Sequence, residues 1–345
     1  MSAVDVRPGR SARDVLARSR ALLDPALRAA VDSLPGSMRS IAAYHLGWHD
    51  EHGRPTTADC GKAVRPALAF LAAEAVGGTP DAALPAAVAV ELVHNFTLLH
   101  DDVMDGDRFR RHRPTAWSLF GTGPAILAGD ALLTLAYDVV AAAAPDKSRA
   151  SARLLSASVL AVQDGQAADL AFEQRTDVGV AECLRMAGGK TGALLGCSTA
   201  LGALYGGGSP SQQDDLRAFG EKMGVSFQLA DDLLGIWGDP ETTGKPVHSD
   251  LANRKKSLPV VAALSSGTQA GEQLRALYGS PEPLSDAELA HAASLVELAG
   301  GRAWARRQAD GLLDEAVAHL DAVRPAGRAG DELRALARLA AQRDR

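Results

Sequence analysis

The residues most able to do chemistry in this chain begin at His100-Asp101-Asp102-Val103-Met104-Asp105. A long apolar helical pattern starting near Pro85 runs into this segment. Spacing i, i+4 sets Asp101 and Asp105 on one helix face, a single turn apart, with Asp102 beside them. Three carboxylates this close repel one another unless a cation lies between them. Hard oxygen donors of this kind suit Mg²⁺, which takes one or two carboxylates plus substrate phosphates. The same face runs back to His94, about 10 Å from Asp101 at the helical rise per residue. A solvated acidic helix end would carry the same residues, so this motif alone does not decide.

A second run, Gln228-Leu229-Ala230-Asp231-Asp232-Leu233-Leu234-Gly235, places Gln228, Asp231, Asp232 and Gly235 on one helix face. Here the acids sit inside an apolar segment, where unpaired carboxylates are costly. Two such pairs on apolar helices suggest two walls of one cleft that meet across metal ions. Phosphates in that cleft need cations. Lys62 and Arg65 lie three apart in Gly61-Lys62-Ala63-Val64-Arg65-Pro66, and Arg110-Arg111-His112-Arg113 follows the first acidic motif directly. Lys245 and the Arg254-Lys255-Lys256 cluster follow the second. Arg forks grip phosphate in bidentate fashion, whereas Lys acts as a compact point charge. Gly188-Gly189-Lys190-Thr191 resembles the end of a P-loop, but that motif needs Gly where Leu184 stands, and no strand precedes it.

The elements that must position these groups read as helices. Aromatic residues are only 4% of the 345, too few for a typical sandwich or barrel. Apolar spacing at i, i+3, i+4 dominates, and no alternating strand pattern appears. Ser11 with Asp14, Ser211 with Asp214 and Ser285 with Glu288 carry the capping-box spacing. The expected fold is all-α, a single large helical bundle around a deep central cavity. Residues 1–14 are expected to form a disordered tail and 15–345 one domain, with a last helical subregion from about 285. Net charge −6 argues against nucleic acid as a partner. Three cysteines without CxxC spacing argue against a zinc site or disulfide framework, and no stretch reads as a signal peptide or transmembrane segment. A cytoplasmic location is expected.

In combination the motifs are specific. GKxxRP at Gly61–Pro66, ExxHxxxLxHDDxxD at Glu91–Asp105 and RRxxPT at Arg110–Thr115 are joined by GQxxDL at Gly165–Leu170 and KT at Lys190–Thr191. FQxxDD at Phe227–Asp232 and GDxxxxGKxxxxDLxxxKxSLP at Gly238–Pro259 complete the set. The chain resembles the trans-isoprenyl diphosphate synthases of the polyprenyl synthetase family from about residue 30 to 342. The resemblance implies an all-α isoprenoid synthase fold, usually a homodimer. It implies head-to-tail condensation of isopentenyl diphosphate with an allylic diphosphate. Asp101 and Asp105 would ligate two Mg²⁺ ions and Asp231 a third, with Asp102 and Asp232 as supporting acids. Arg110, Lys190 and Lys245 would hold the allylic diphosphate, with Lys255 nearby. Gly61, Lys62, Arg65, His94 and Arg111 would serve the isopentenyl diphosphate. Thr191 and Gln228 would face the developing carbocation.

The chain departs from the family pattern at three positions, one of them Cys60, which leaves Gly61 alone where a glycine pair is common before the Lys. Gly235 stands where the second acidic motif usually ends in a third Asp, and His112 stands where the basic motif usually has Gly. In the family the residues before the first acidic motif set product length. Here they are Phe96 and Thr97, a combination that resembles short-chain synthases, geranylgeranyl (C20) ahead of farnesyl (C15). A class I terpene cyclase is the alternative on the same fold, and Lys62, Arg65, His94 and Arg111 argue against it. A non-catalytic subunit of a heteromeric synthase is the other, and the retained Asp positions argue against that.

Overall fold

Long apolar stripes without period-two alternation leave helices as the way to pair the backbone's own donors and acceptors. The computed structural model describes residues 9–56, 61–240, 246–280 and 282–341, and they are helical almost throughout. The described chain divides into two compact units, each assembled from discontinuous stretches.

The first unit takes the chain up to Ala157 together with Cys197–Arg217 and Asp321–Leu333. Its helix α1 (Ala12–Asp32) opens on Ser11, whose hydroxyl accepts the Asp14 N–H at 3.2 Å. The helix therefore starts inside the stretch assigned to the tail, and Arg10 is tied to the buried Glu332 carboxylate at 2.9 Å. Next come α2 (Gly36–His45), α3 (Val64–Ala75) and α4 (Leu84–Met104), which packs against α1, α3 and α6 (Thr122–Ala143). Small residues bring helices together here. A Cβ on Gly202 would run into the Ala69 backbone of α3, and one on Gly206 would strike Ala73. Between α4 and the short α5 (Ala116–Phe120), β1 (Phe109–Arg110) pairs antiparallel with β2 (Arg113–Pro114). The sequence pattern contained no strand, because two-residue strands are too short to show alternation.

The second unit takes Ser158–Gly196, Ala218–Leu320 and the chain from Arg334. After α7 (Pro145–Glu173), α8 (Val180–Ala187) runs through a π-turn at Gly188–Gly192 into α9 (Ala193–Tyr205). Helix α10 (Pro210–Trp237) starts on a reciprocal Ser209–Gln212 pair, not on Ser211 and Asp214: each backbone N–H bonds the other's side chain. Helices α11 (Ser249–Ala252), α12 (Leu258–Leu264), α13 (Gln269–Gly279), α14 (Asp286–Leu298), α15 (Gly301–Val323) and α16 (Ala329–Ala341) follow. The expected Ser285–Glu288 capping box opens α14. Leu229 and Leu233 of α10 pack with Met186, Leu258 and Val261, and Ile236 packs with Leu251, Leu274 and Val296. The second acidic motif is thereby locked into apolar packing on both sides.

Two helical segments, Asp81–Met104 and Thr122–Ala143, reach the length and mean hydropathy of a membrane span, where the sequence reading found none. The first is a core segment with two thirds of its apolar window buried inside the protein, and it carries Glu91, Asp101 and Asp102. The second carries Asp130 and Asp138 and is 39% buried in its window, which leaves apolar surface open.

Candidate active site

In the first unit the last turn of α4 sorts its acids by direction. Asp101 is half-buried, Asp105 is exposed at the helix C-cap, and its N–H bonds the Asp101 carbonyl at 2.8 Å. Asp102 points inward and is 1% exposed. Its Oδ1 accepts Arg110 Nε and Nη2, each at 2.7 Å, while its buried Oδ2 has no hydrogen-bond partner. Burial pushes the Asp102 carboxyl up from the usual range, and Arg110 opposes the shift.

Arg110 is delivered by the hairpin. Its two turn residues, Arg111 (φ 50°) and His112 (φ 61°), both sit in the left-handed region that a two-residue mirror-image turn demands. This is the physical reason a Gly suits position 112. The hairpin is anchored from α2: the Tyr44 hydroxyl donates to the Pro114 carbonyl at 2.7 Å, and Arg113 donates to the carbonyls of Tyr44 and His49.

The loop before α3 meets the hairpin. Gly61 has φ 93°, and a Cβ there would overlap the Arg111 guanidinium, so two separate constraints require glycine. Arg20 of α1 donates to the Gly61 carbonyl. Lys62 is exposed, and Ala63 (φ 49°) turns the chain into α3, which carries Arg65 in its first turn. Arg65 Nε is buried with no hydrogen-bond partner. Its counter-charge is Glu91, an acid 4% exposed in the middle of apolar α4. Burial raises the Glu91 pKa, and Arg65, Arg20, Asn95 and Arg111 hold it back. Burial, and then the positive field of Arg65, Arg111 and Arg110, drive the His94 pKa well below its usual value. His94 is thus a neutral hydrogen-bonding group at pH 7 and not a fourth cation. Neighbouring His45 is pushed down to about 3 by burial and by Arg110, Arg111 and Arg113.

Phe96 lies on α4, 4% exposed, with its ring edge-on to His100 at 4.7 Å. Both rings lean on Gly129 of α6: a Cβ there would overlap the His100 imidazole and touch Phe96. His100 bonds the Ile126 carbonyl at 3.0 Å. The Thr97 hydroxyl is taken up by the His94 carbonyl at 2.8 Å.

In the second unit Asp231 is half-buried and Asp232 is 3% exposed. Asp232 Oδ1 accepts Gln228 Nε2 at 2.9 Å, and its Oδ2 accepts the Leu258 N–H at 2.9 Å. The Thr191 hydroxyl donates to Gln228 Oε1 at 2.7 Å, so Thr191, Gln228 and Asp232 form one chain of hydrogen bonds. Lys190 pairs with Asp169 of α7 at 2.5 Å. Both Lys190 and Thr191 sit in the π-turn, where the ladder shifts by one residue, a geometry often found at functional sites. Its glycines allow this. Gly165 of α7 lies directly against the Lys190 backbone, and Gly189 lies against the Ala161 carbonyl. Lys255 Nζ lies 3.7 Å from Asp232 and 3.9 Å from Asp250. Burial disfavours its charge, but Asp232, Asp250, Asp169 and Asp231 outweigh burial and raise its pKa.

The structure thus gathers Gly61, Lys62, Arg65, His94, Phe96, Thr97, Asp101, Asp102, Asp105, Arg110 and Arg111 in one unit, and Lys190, Thr191, Gln228, Asp231, Asp232 and Lys255 in the other. Lys245 lies outside the described residues. Residue-level reasoning assigned no role to Glu91, Asp169 or Asp250. Glu91 had a readable signal, a single acid inside an apolar run. Asp169 and Asp250 had none beyond their motifs.

Among the described residues, no three His, Cys, Asp or Glu side chains form a ready-made metal cage. The donor set still fits Mg²⁺, which is held by one or two carboxylates and draws its other ligands from waters and diphosphate oxygens. Asp101 and Asp105 of the first unit and Asp231 of the second offer carboxylates of this kind, and Asp102 keeps an unbonded buried oxygen on the same helix as the first two.

The polyprenyl synthetase family model matches residues 48–296. A (2E,6E)-farnesyl diphosphate synthase of Mycobacterium tuberculosis is 52% identical over 299 residues, covering 86% of this chain and 83% of that protein. A geranylgeranyl diphosphate synthase of the same species is 46% identical over 319 residues, 92% of this chain and 91% of the relative. The crystal structure of a polyprenyl synthetase from Streptomyces coelicolor A3(2) superposes with TM-score 0.91 at 48% identity, covering 95% of this chain and 98% of that one. With these motifs in these places, the chain belongs to the polyprenyl synthetase family.

Proposed function

We propose that this protein is a Mg²⁺-dependent trans-prenyltransferase. It condenses isopentenyl diphosphate with an allylic diphosphate, head to tail, and releases diphosphate. The observation that carries this reading is the repeated division of labour in the two acidic motifs. In each, one aspartate (Asp102, Asp232) is buried and paired with a cation, while its neighbour (Asp101, Asp231) stays half-exposed on the same helix. When bound, Mg²⁺ neutralises charge that builds up on the departing diphosphate.

The chain's own residues do the rest. Lys190, Arg110 and Lys255 bind the allylic diphosphate, each pre-set by a carboxylate: Asp169, Asp102 and Asp232. Such fixed charges stabilise the leaving group without reorganising during the reaction. Lys62, Arg65 and Arg111 bind isopentenyl diphosphate, and neutral His94 contributes a hydrogen bond. The Thr191 proton is committed to Gln228, which leaves the hydroxyl oxygen's lone pairs for the developing carbocation. An apolar chamber keeps water from quenching it. No side-chain base is assigned; the released diphosphate accepts the proton.

The product is a short-chain all-trans prenyl diphosphate, C20 ahead of C15. The packed Phe96–His100–Gly129 contact supports this length, because an aromatic ring supported from behind cannot swing away from a growing chain. The protein acts as a cytoplasmic homodimer. The dimer reading rests on α6, where Ile126 and Leu127 are exposed on a helix as apolar as a core element. The cytoplasmic one rests on the cysteine pattern of the sequence, three residues without CxxC spacing, as suits a reducing compartment.

The test is incubation of the purified protein with Mg²⁺, isopentenyl diphosphate and dimethylallyl, geranyl or farnesyl diphosphate. Linear C15 or C20 diphosphate supports the reading. A cyclic hydrocarbon from one allylic substrate alone, or turnover only after a second protein is added, refutes it. Phe96→Ala should shift the products to longer chains, and an unchanged product would remove Phe96 from length control. Sedimentation should give twice the chain mass.

A further inference from the structure

One turn beyond Asp231, α10 carries Gly235 in place of a side chain. That empty position is filled from another element. A Cβ on Gly235 would collide with the Asp250 carboxylate, at 2.6 Å from Oδ1. Asp250 is the second residue of α11 and is buried; beside it the Ser249 hydroxyl reaches the Gly235 carbonyl at 3.4 Å. The Asp250 carboxylate lies 3.9 Å from Lys255 Nζ, and Asp232 stands 3.7 Å from the same ammonium. The backbone repeats the link, since the Lys255 N–H bonds the Asp250 carbonyl at 2.9 Å through a turn with Arg254 in the left-handed region.

We propose that Asp250 is a positioning residue for diphosphate binding. Its carboxylate, lodged over the bare Cα of Gly235, brackets the Lys255 ammonium between itself and Asp232. A lysine ammonium is a strongly hydrated point charge on a flexible stem, so its pairing geometry must be imposed from outside. Two carboxylates on different elements impose it. The Lys255 side chain keeps 38% exposure, which leaves donor capacity for a ligand. Gly235 then has a positive role: the room it leaves admits a carboxylate from α11 that a side chain on α10 would exclude. The inference rests on the proposed role of Lys255 in holding the allylic diphosphate.

The test combines steady-state kinetics with calorimetric binding of inorganic pyrophosphate in Mg²⁺. Asp250→Asn should raise KM for the allylic diphosphate and Kd for pyrophosphate about tenfold, with KM for isopentenyl diphosphate changed by less than about threefold. Gly235→Ala should have the same effect by displacing the carboxylate, and should add nothing in an Asp250→Ala background. Asp250→Asn should likewise add nothing to Lys255→Ala, as expected for groups acting through one contact. An unchanged pyrophosphate Kd in Asp250→Asn, or losses that add to those of Lys255→Ala, would overturn the proposal. A wild-type protein that binds pyrophosphate but condenses nothing refutes the functional reading alone, and the binding series still judges Asp250. One that does not bind pyrophosphate refutes both.

Discussion

Asp102 and Asp232 hold the same place in their motifs and are almost equally buried, yet their surroundings differ in kind. Asp102 is gripped through one oxygen by a guanidinium that a strained hairpin delivers, and its other oxygen lacks a hydrogen bond. Asp232 is met on both oxygens, by the Gln228 amide and a backbone N–H, with an ammonium close by. The first motif ends at a helix C-cap and depends on a partner brought in by a separate element, the hairpin. The second lies within a long helix and depends on packing. A buried carboxylate needs several partners to offset its desolvation. The second site has them within its own unit, while the first leaves capacity unused where a cation is expected.

The comparison breaks most sharply at the surface acids. Asp101→Ala and Asp231→Ala should each lower turnover about a thousandfold with an unchanged circular dichroism spectrum. Near-normal turnover in either variant would remove that motif from the chemistry. At the buried acids the expected contrast is in stability. Asp232→Ala removes the acceptor of the Gln228 amide N–H and of the Leu258 N–H and one of the two carboxylates beside Lys255, and should cost about 3 kcal/mol in denaturant unfolding. Asp102→Asn, which keeps the shape and already has an unbonded oxygen, should cost about half of that. Equal losses would show that the orphan oxygen makes no difference.

Acid should distinguish the two neighbourhoods next. The His45 pKa falls from 6.5 in the unfolded chain to about 3 in the folded protein. The unfolded chain therefore takes up a proton that the native state refuses, so this contribution is intact above pH 6.5 and is lost as pH falls towards 3. The slope is about 1.4 kcal/mol per pH unit for one proton. His45→Gln should remove one proton's worth of that slope in unfolding measured between pH 4 and about 6.5; an unaltered slope would show that His45 does not titrate there. The smallest effect is expected at the hairpin. His112→Gly relieves a left-handed non-glycine residue and should stabilise the protein by up to about 1 kcal/mol with activity retained. A loss of stability would show that the His112 side chain makes a contact worth more than the strain.

Much of this was legible in the residues. The helical periodicity, the Ser285 cap and both acidic motifs were readable because each depends on neighbours within a turn or two. Ser209 rather than Ser211 starts α10, because two overlapping serines offered the same local spacing and only the helix register separates them. The short hairpin escaped because its pairing is set by Tyr44 and Arg113, from the α2 contact, and not by alternation.

By itself the sequence singled out the groups proposed to carry the chemistry: the two aspartate pairs, the cations after each, and the Lys190–Thr191 and Gln228 groups. Residue types and short spacings suffice for that, since charge and donor capacity belong to the side chain. Tertiary structure alone decided which acid of each pair turns inward, that Glu91 and Asp169 serve as counter-ions, and that Gly235 makes room for Asp250. Those outcomes depend on what packs against a helix face from far along the chain. Desolvation and close approach act between elements, and no local pattern encodes them.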